Sequence, residues 1–239
     1  MGEVQGRAGA KLIGEIMGKK KVSVITLAND FGKSLAAGFK EASAAYGIEI
    51  ISEYDYSIKD REFGPIVSKV KSESPDAIYA SGDFFTAGPL VSQLRAAGID
   101  VPVFGQEGYD GEMFIKIAGE AAEGVIITTS LDRDSTDPLA RAFIEGFQAK
   151  SGYPADMVSA STHTAVLVLA AALKQSGAGD KASLRDAIAA TSINAATGSI
   201  SFNKLGEVRK SVQVQIVRDG GWHHYAVISD PVLLAPPEE

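Results

Sequence analysis

The sequence predicts an α/β fold in which a doubly wound parallel sheet is joined to a helical segment that has no sheet of its own. Apolar runs rich in Val and Ile begin near positions 21, 48, 76, 101 and 124, at a spacing of about 25 residues. A helical pattern separates each run from the next, which is typical of βαβ units. The runs do not alternate strictly between apolar and polar residues, as expected of strands covered by helices on both faces.

The sheet elements follow one another from the N-terminus to about Ser130. A glycine, Gly47, stands where the helix after the first strand should end, because glycine adopts the left-handed conformation that commonly terminates helices. The predicted strands are Lys21–Leu27, Ile48–Tyr54, Asp76–Ala80, Val101–Phe104 and Gly124–Ser130. The predicted helices are Gln5–Met17, one ending near Ala45, Glu62–Lys71, one ending at Ala97, and Asp110–Ala118.

The pattern changes after Ser130. The polar stretch Leu131–Thr136 reads as a segment that leaves the sheet, and Asp137-Pro138 then begins a helix that stops at Gly152. Two further helices are predicted at Asp156–Gln175 and Lys181–Ala190, followed by strands at Ser199–Phe202, Ser211–Arg218 and Trp222–Ile228. Asp219-Gly220 predicts a tight hairpin between the last two strands, and the tail Pro236–Glu239 is expected to be disordered.

One predicted helix does not suit an independent unit. The run Ala165–Leu173 is apolar on every side, and such a helix needs cover nearly all round. Its neighbours in the sequence supply helices but little sheet. We therefore expect this helix to be covered by self-association, by helix exchange between copies, or by refolding onto the sheet.

Composition and charge exclude several classes of function. The net charge of -7 argues against a nucleic-acid partner, which would need concentrated positive charge. The absence of cysteine excludes disulfides and thiolate metal sites. Met1–Glu3 does not begin a signal peptide, and the nine-residue run Ala165–Leu173 is shorter than the roughly 20 residues of a membrane span.

Catalytic and cofactor motifs find little support. The histidines His163, His223 and His224 do not occur in a metal-binding spacing, and neither a nucleophile elbow nor a phosphate loop is present. No metal, cofactor or catalytic residue is predicted. A flavodoxin-like enzyme stays open as an alternative on fold alone.

Ligand-type side chains follow the predicted strands. Because ligands of open α/β sheets bind outside the carboxyl ends of the strands, residues in these turns are candidates for binding. They are Phe31, Asp83, Phe84, Glu107 and Tyr109. For the aromatic residues Phe31, Phe84 and Tyr109, packing against the core is the alternative to ligand binding. Asp83 could instead cap the following helix, and Glu107 could be a solvated loop acid.

Several of these motifs resemble the periplasmic solute-binding proteins of ABC transporters for branched-chain amino acids, which have the type I periplasmic binding fold. The resemblance rests on the order and spacing of short motifs over essentially the whole chain. They are Gln5–Ala10, Asp30–Gly32, Gly82–Phe84, Gln93–Gly98, Gly105–Gly108 and Phe202–Glu207.

The resemblance implies two α/β lobes with a ligand between them. On this basis residues 1–130 and 210–239 would form a ligand-binding lobe, and residues 131–209 a helical segment of the other, incomplete lobe. It implies a location in the periplasm or outside the cell, an amino-acid-like ligand and an ABC transporter permease as partner. The resemblance implies that Glu107 binds the ligand's ammonium group. The chain departs from the family pattern at Asp83, where many members have tyrosine.

Three hypotheses follow for function. The first is a binding component that does no chemistry and whose ligand affinity in this chain alone is weak or undetectable. The second is an interaction or scaffold protein that uses the exposed apolar helix at 157–174. The third is the flavodoxin-like enzyme.

Overall fold

The computed structural model describes residues 2–177 and 180–235, so the predicted disorder of Pro236–Glu239 lies outside the described residues. The strands are β1 (Lys21–Leu27), β2 (Glu49–Tyr56), β3 (Ala77–Ser81), β4 (Val103–Gly105), β5 (Ile126–Thr129), β6 (Ile193–Ala195), β7 (Gly198–Phe202), β8 (Val208–Arg209), β9 (Val212–Arg218) and β10 (Gly221–Ile228). The helices are α1 (Gly2–Lys11), α2 (Asp30–Ser43), α3 (Gly64–Glu73), α4 (Phe84–Ala96), α5 (Glu112–Ala118), α6 (Pro138–Ser151), α7 (Met157–Ser176) and α8 (Lys181–Ala189).

The main sheet has seven strands in the order β10-β9-β5-β4-β3-β1-β2. The five strands β1 to β5 pair in parallel, and β9 adds to β5 in the antiparallel direction. The hairpin β9–β10 turns at Asp219 and Gly220, both with positive φ (50° and 72°), as a tight two-residue turn requires. The predicted α/β class with a doubly wound parallel sheet is confirmed, and the closing hairpin extends that sheet.

Helices cover both faces of the sheet and bury two separate cores. One face holds α1 and α2, where Phe39 of α2 stacks on Tyr79 of β3 at 4.2 Å between ring centroids. The other face holds α3, α4 and α5, with Tyr109, Phe114 and Trp222 in its centre. This arrangement explains why strict alternation is missing from the strands: β1 and β3 are buried on both sides.

Close contact between α1 and α2 depends on glycine. A Cβ atom on Gly38 would lie 2.0 Å from the Glu3 carbonyl oxygen, and one on Gly6 would lie 2.2 Å from the Leu35 carbonyl oxygen. The two helix backbones therefore touch without intervening side chains. After Lys11 the helix widens into a π-turn over Leu12–Ile16, where a single α-helix to Met17 was predicted.

Residues 131–209 contain α6, α7, α8 and a small antiparallel sheet of β6, β7 and β8. The sequence had predicted one strand here, at Ser199–Phe202. Strands β6 and β8 have three and two residues, too short to leave a periodic pattern. The core of this segment is small, built around Leu131, Phe143 and Ala160.

Helix α7 buries one stripe and exposes the rest. The buried residues are Ala160, Thr164, Val168 and Ala172, spaced by four along one face. Val158 and Val166 are 62% and 58% exposed, and Leu167, Leu169 and Leu173 are exposed as well. The described residues therefore leave much of this apolar helix uncovered.

The expectation that no segment is long enough to span a bilayer needs correction. It considered the uninterrupted apolar run of nine residues, but the whole of α7 is 20 residues long and contains an 18-residue window with a mean hydropathy of 1.4. By length and composition alone this helix could cross a membrane, because the residues that extend the apolar run to the full helix are mostly uncharged, among them Ser, Thr and Ala. That is weak evidence, since helices of soluble proteins meet the same criterion.

We predict that Gly38→Ala lowers the free energy of unfolding by about 1–3 kcal/mol, because the new methyl group forces α1 away from α2. Urea unfolding followed by circular dichroism measures the change. Gly146→Ala in α6 is the matched control, since nothing lies within 4 Å of its added Cβ. The control should be neutral or raise stability by up to about 1 kcal/mol. Equal effects of the two substitutions would contradict the contact-based explanation.

Candidate functional site

Three turns at the carboxyl edge of the main sheet carry the predicted site residues. We call them the rim turns: residues 28–31 after β1, residues 82–85 after β3 and residues 106–110 after β4. Their strands are neighbours in the order β4-β3-β1 and run in parallel, so the three turns leave the same edge of the sheet. This is the edge at which open α/β sheets bind ligands.

The second and third rim turns are in backbone contact. A Cβ atom on Gly108 would lie 2.1 Å from the Gly82 carbonyl oxygen, so any side chain there would separate the turns. The buried Gln106 side chain joins them as well: its Nε2 donates to the Gly82 carbonyl at 2.9 Å, and its Oε1 accepts from the Gly108 amide at 2.7 Å. Asp83 follows Gly82 and Glu107 precedes Gly108, so the two acidic residues belong to turns that touch each other.

Tyr56 at the end of β2 fixes the second rim turn from the other side. Its hydroxyl donates to the Ser81 carbonyl at 2.9 Å and lies 3.1 Å from the Thr86 hydroxyl. Burial raises the pKa of Tyr56 to about 12, so the hydroxyl keeps its proton at neutral pH. The turn that holds Asp83 is therefore held by hydrogen bonds from Tyr56 at the end of β2 and from Gln106 after β4.

Asp83 occupies the N-cap position of α4, but its carboxylate makes no capping hydrogen bond. The helix start is instead closed by Thr86, whose amide and hydroxyl donate to the Asp83 backbone carbonyl at 3.0 and 2.9 Å. The side chain is half-buried, and burial raises the pKa of Asp83. Of the two roles the sequence left open, the structure disfavours the helix cap. Within the described parts of the chain, the Asp83 carboxylate is partly desolvated and has no hydrogen-bond or ion-pair partner.

Glu107 is also half-buried and opens the single turn of 3-10 helix Glu107–Tyr109. Within residues 2–177 and 180–235, no hydrogen bond or ion pair closer than 4 Å involves its carboxylate. Its negative charge raises the pKa of Lys210, in the loop just before β9, although the burial of Lys210 lowers that pKa overall. The Lys210 ammonium also donates a hydrogen bond to the Ser130 hydroxyl at the end of β5.

The aromatic candidates Phe31 and Phe84 are both half-buried near the rim turns. Phe31 is the second residue of α2, whose start is capped by Asn29 through a 2.7 Å bond from the Gly32 amide. Phe84 packs edge-on against Phe85 and lines a cavity shared with Arg133 and Tyr153. Phe84 thus faces the junction with the helical segment, and Phe31 lies one strand further along the same edge.

Tyr109 differs from the other candidates because its side chain is fully buried. Its ring stacks on Phe114 at 5.1 Å and packs so closely on Gly105 that a Cβ there would lie 2.4 Å from the ring. The structure therefore places Tyr109 in the core, the alternative that the sequence left open, and away from the ligand-facing surface of the turn. The turn bends inward at Tyr109 because the next residue, Asp110, is itself held by buried partners.

Comparisons with known proteins identify the family of the chain. The model of the periplasmic binding protein family matches residues 3–221. The chain belongs to the periplasmic binding protein family. A curated leucine-, isoleucine-, valine-, threonine- and alanine-binding protein of Pseudomonas aeruginosa is 27% identical over 206 residues, and a Leu/Ile/Val-binding protein homologue of Brucella melitensis is 30% identical over 194.

Solved structures of the periplasmic binding protein family superpose closely. A leucine-binding protein from Thermotoga maritima has a TM-score of 0.88 at 29% identity, and an isoleucine-bound transporter substrate-binding protein from Streptococcus pneumoniae has 0.88 at 26%. Each covers 96% of this chain, while this chain covers 66% of each. The chain spans about half the length of the curated relatives that it matches. The alignment with the Pseudomonas protein covers 86% of this chain and 55% of the relative, and the alignment with the Brucella protein covers 80% of this chain and 52% of the relative.

Sequence reasoning missed a buried ion pair beside the third rim turn. The Asp110 side chain is 1% exposed and pairs with Arg133, which is 15% exposed and belongs to the segment that leaves β5. Asp110 also accepts from the Thr129 hydroxyl at 2.6 Å and from the backbone amide of Met157, the first residue of α7, at 3.2 Å. Asp110 therefore joins the rim, the exit from the sheet and the helical segment.

The same exit segment is bound to the closing hairpin. Gln215 of β9 donates to Asp132 at 2.9 Å, and the His224 ring nitrogen Nδ1 lies 2.8 Å from the other Asp132 oxygen. Asp134 accepts from the His224 amide at 2.9 Å and contacts the His223 ring at 3.1 Å. Burial would raise the pKa of Asp134, but these hydrogen bonds lower it overall.

In the part of the chain that the structure describes, no cluster of three or more His, Asp or Glu side chains could hold a metal ion.

We predict that Asp110→Ala lowers the free energy of unfolding by about 3–5 kcal/mol, because it leaves the partly buried Arg133 without its partner. Arg141→Ala is the control, since its ion pair with Glu145 lies on the surface of α6 and is worth less than about 0.5 kcal/mol. Urea unfolding at neutral pH measures both. A loss at Asp110 no larger than at Arg141 would show that the buried pair does not hold the exit segment.

Proposed function

We propose that the rim turns form one wall of a cleft that binds an amino acid or a related amine, in the solute-binding component of an ABC transporter. The observation that carries this is the presence of two half-buried acids, Asp83 and Glu107, in rim turns that touch each other, where neither carboxylate has a cationic partner within 4 Å among the described residues. A ligand ammonium group satisfies both the charge and the hydrogen-bonding capacity of such a pair. The names of the relatives, which bind leucine, isoleucine or valine, support this ligand class.

The aromatic side chains complete this wall in the proposal. Phe31 and Phe84 flank the carboxylates and offer apolar surface to the ligand's side chain, while Tyr109 supports the turn from the core. Binding shifts an equilibrium between open and closed arrangements and involves no chemistry, so the protein is not an enzyme. The partner is an ABC transporter permease, and the location is the periplasm or the outside of the cell.

We further propose that residues 1–130 and 210–239 act as the ligand-binding lobe and that 131–209 belong to the opposite lobe. The small core of the helical segment and the exposed face of α7 support this division. The wall that contacts the ligand's carboxylate is then supplied by residues outside these 239. Affinity of this chain alone for an amino acid is accordingly weak.

The proposal predicts a weak, ammonium-dependent interaction with leucine. In a 1H–15N NMR titration with leucine at high concentration, the Gly82 and Gly108 amide signals should shift progressively. N-acetyl-leucine, which lacks the ammonium group, should leave them unchanged. Glu107→Gln should weaken the leucine interaction at least about tenfold, the loss expected for one charge-assisted contact.

The control variant for this titration is Glu112→Gln. Glu112 lies on the same segment but is exposed and paired with Lys116 at 3.2 Å. Its replacement should not affect the leucine-induced shifts. Equal shifts with leucine and N-acetyl-leucine would eliminate ammonium recognition by this wall.

A second role is favoured by the exposed face of α7. We propose that this face mediates contact between copies of the chain, since Val166, Leu169 and Leu173 together offer an apolar surface of the kind that marks protein interfaces. Helix exchange between copies would bury the same residues. In this role the chain acts as an interaction module, independently of ligand binding.

Static light scattering at micromolar concentration should give a mass above that of one chain. Val166→Glu should return the mass to that of a monomer, because a carboxylate in an apolar interface has no partner. Val232→Glu is the control, being 86% exposed and outside α7. A monomeric mass for the unaltered chain would refute the interface.

A further inference from the structure

A cavity of about 320 Å³ lies between the main sheet and the helical segment. Three large side chains with apolar surface line it, each from a different part of the chain: Phe84 from the second rim turn, Met113 from α5, and Tyr153 from the loop between α6 and α7. Of these, the proposed ligand wall uses only Phe84. Most of the cavity therefore has no role in the proposed function.

The loop that carries Tyr153 is fixed at both ends. Helix α6 ends at Gly152 with a φ of 76°, and the Ser151 hydroxyl donates to the Tyr153 carbonyl at 3.1 Å and accepts from the Tyr153 amide at 3.0 Å. At the other end of the loop, the Met157 amide donates to the buried Asp110 carboxylate at 3.2 Å. Because Asp110 belongs to the third rim turn, this bond ties the two sides of the cavity together and sets its width.

The charged groups that line the cavity already have partners. Asp110 is paired with Arg133, and Glu112 is paired with Lys116 at 3.2 Å. The Asp156 carboxylate caps the start of α7. An occupant would therefore gain little from a charge of its own, so the lining favours a neutral molecule.

The remaining walls favour an aromatic ring. Tyr153 is 71% exposed and Met113 is 50% exposed, so both keep surface that an occupant would cover. Phe84 is half-buried and packs edge-on against Phe85 at 5.3 Å between ring centroids. Aromatic rings and thioethers both make specific favourable contacts with an aromatic ring, beyond the burial of its area.

The size of the cavity suits one such ring. A cavity of roughly 150 Å³ is large enough to hold benzene, and this one has about twice that volume. It therefore admits a single ring together with a short substituent.

We propose that this cavity is a second binding site, which takes a neutral molecule with one aromatic ring. The ring is held by Phe84, Met113 and Tyr153, so the occupant contacts the main sheet and the helical segment at once. The proposal goes beyond the ammonium site at the rim turns and does not depend on it, because no charge on the occupant is required.

The test compares benzyl alcohol with cyclohexylmethanol, which has a saturated ring on the same substituent. In 1H–13C NMR spectra the terminal methyl signal of Met113 should shift with benzyl alcohol and reach saturation. The Met17 methyl should not shift, since it packs on the core at the other face of the sheet. Cyclohexylmethanol should bind about threefold to tenfold more weakly, which is the contribution expected of aromatic contacts.

The variant Tyr153→Leu keeps an apolar wall and removes its ring. It should bring the ratio of the two affinities closer to one. Tyr54→Leu is the control, since Tyr54 lies on β2, outside the cavity, and its replacement should keep the original ratio. A fraction of unfolded protein weakens both alcohols alike, so the ratio is insensitive to loss of structure.

Three results would each overturn the proposal. They are the absence of a saturable shift at Met113, equal affinities of the unaltered chain for the two alcohols, and an unchanged ratio in Tyr153→Leu. None of them bears on the ammonium site, which the leucine titration tests at Gly82 and Gly108.

Discussion

The contact between Gly82 and Gly108 is the constraint on which the site depends. Parallel strands bring their carboxyl ends to one edge, but that alone leaves neighbouring turns free to diverge. Here the two turns meet backbone to backbone, and the Gln106 amide bonds to both. Two half-buried acidic residues, Asp83 and Glu107, consequently lie in turns that touch each other. The buried hydrogen bonds of the turns, and not the acids themselves, hold this arrangement.

The rim is mechanically connected to the rest of the chain. Asp110 accepts hydrogen bonds from β5, from the segment that follows it and from the first residue of α7. Lys210 adds a link between the end of β5 and the stretch that leads into β9. Asp110 and Lys210 therefore connect the helical segment to the end of β5 and to the third rim turn.

The sheet was predictable because its signals are local and repeated. Each strand of β1 to β5 is a short apolar run, and Gly47 and Gly152 end their helices in the left-handed conformation that the sequence suggests. The boundaries moved by up to three residues, as fraying helix ends commonly do. The strands β6 and β8 were missed because two or three residues give no periodicity. The π-turn after Lys11 likewise leaves no signal that distinguishes it from a helix.

The site was predictable only in part. The turns after the strands made Asp83 and Glu107 candidates, and the structure places both at the carboxyl edge of the sheet. The partners of these turns could not be found in the same way. Asp110 is 23 residues from Arg133 and 47 from Met157, and no local pattern relates them. Tyr109 lies in a turn at the same edge, so its position in the sequence also made it a candidate. Its ring, however, fills the space above Gly105 and is buried in the core.

The hydrogen bond from the His224 amide to Asp134 protects one edge of the main sheet against pairing with strands of other molecules. Strand β10 is an outer strand of the sheet, and open strand edges invite pairing with strands of other molecules. The Asp134 carboxylate accepts a hydrogen bond from the His224 amide of β10. This amide lies where the register between β10 and β9 is interrupted, between His224 and Ala226. At the opposite edge, β2 presents Glu49, Glu53 and Asp55 to solvent. Both borders of the sheet thus discourage the addition of a strand from another molecule.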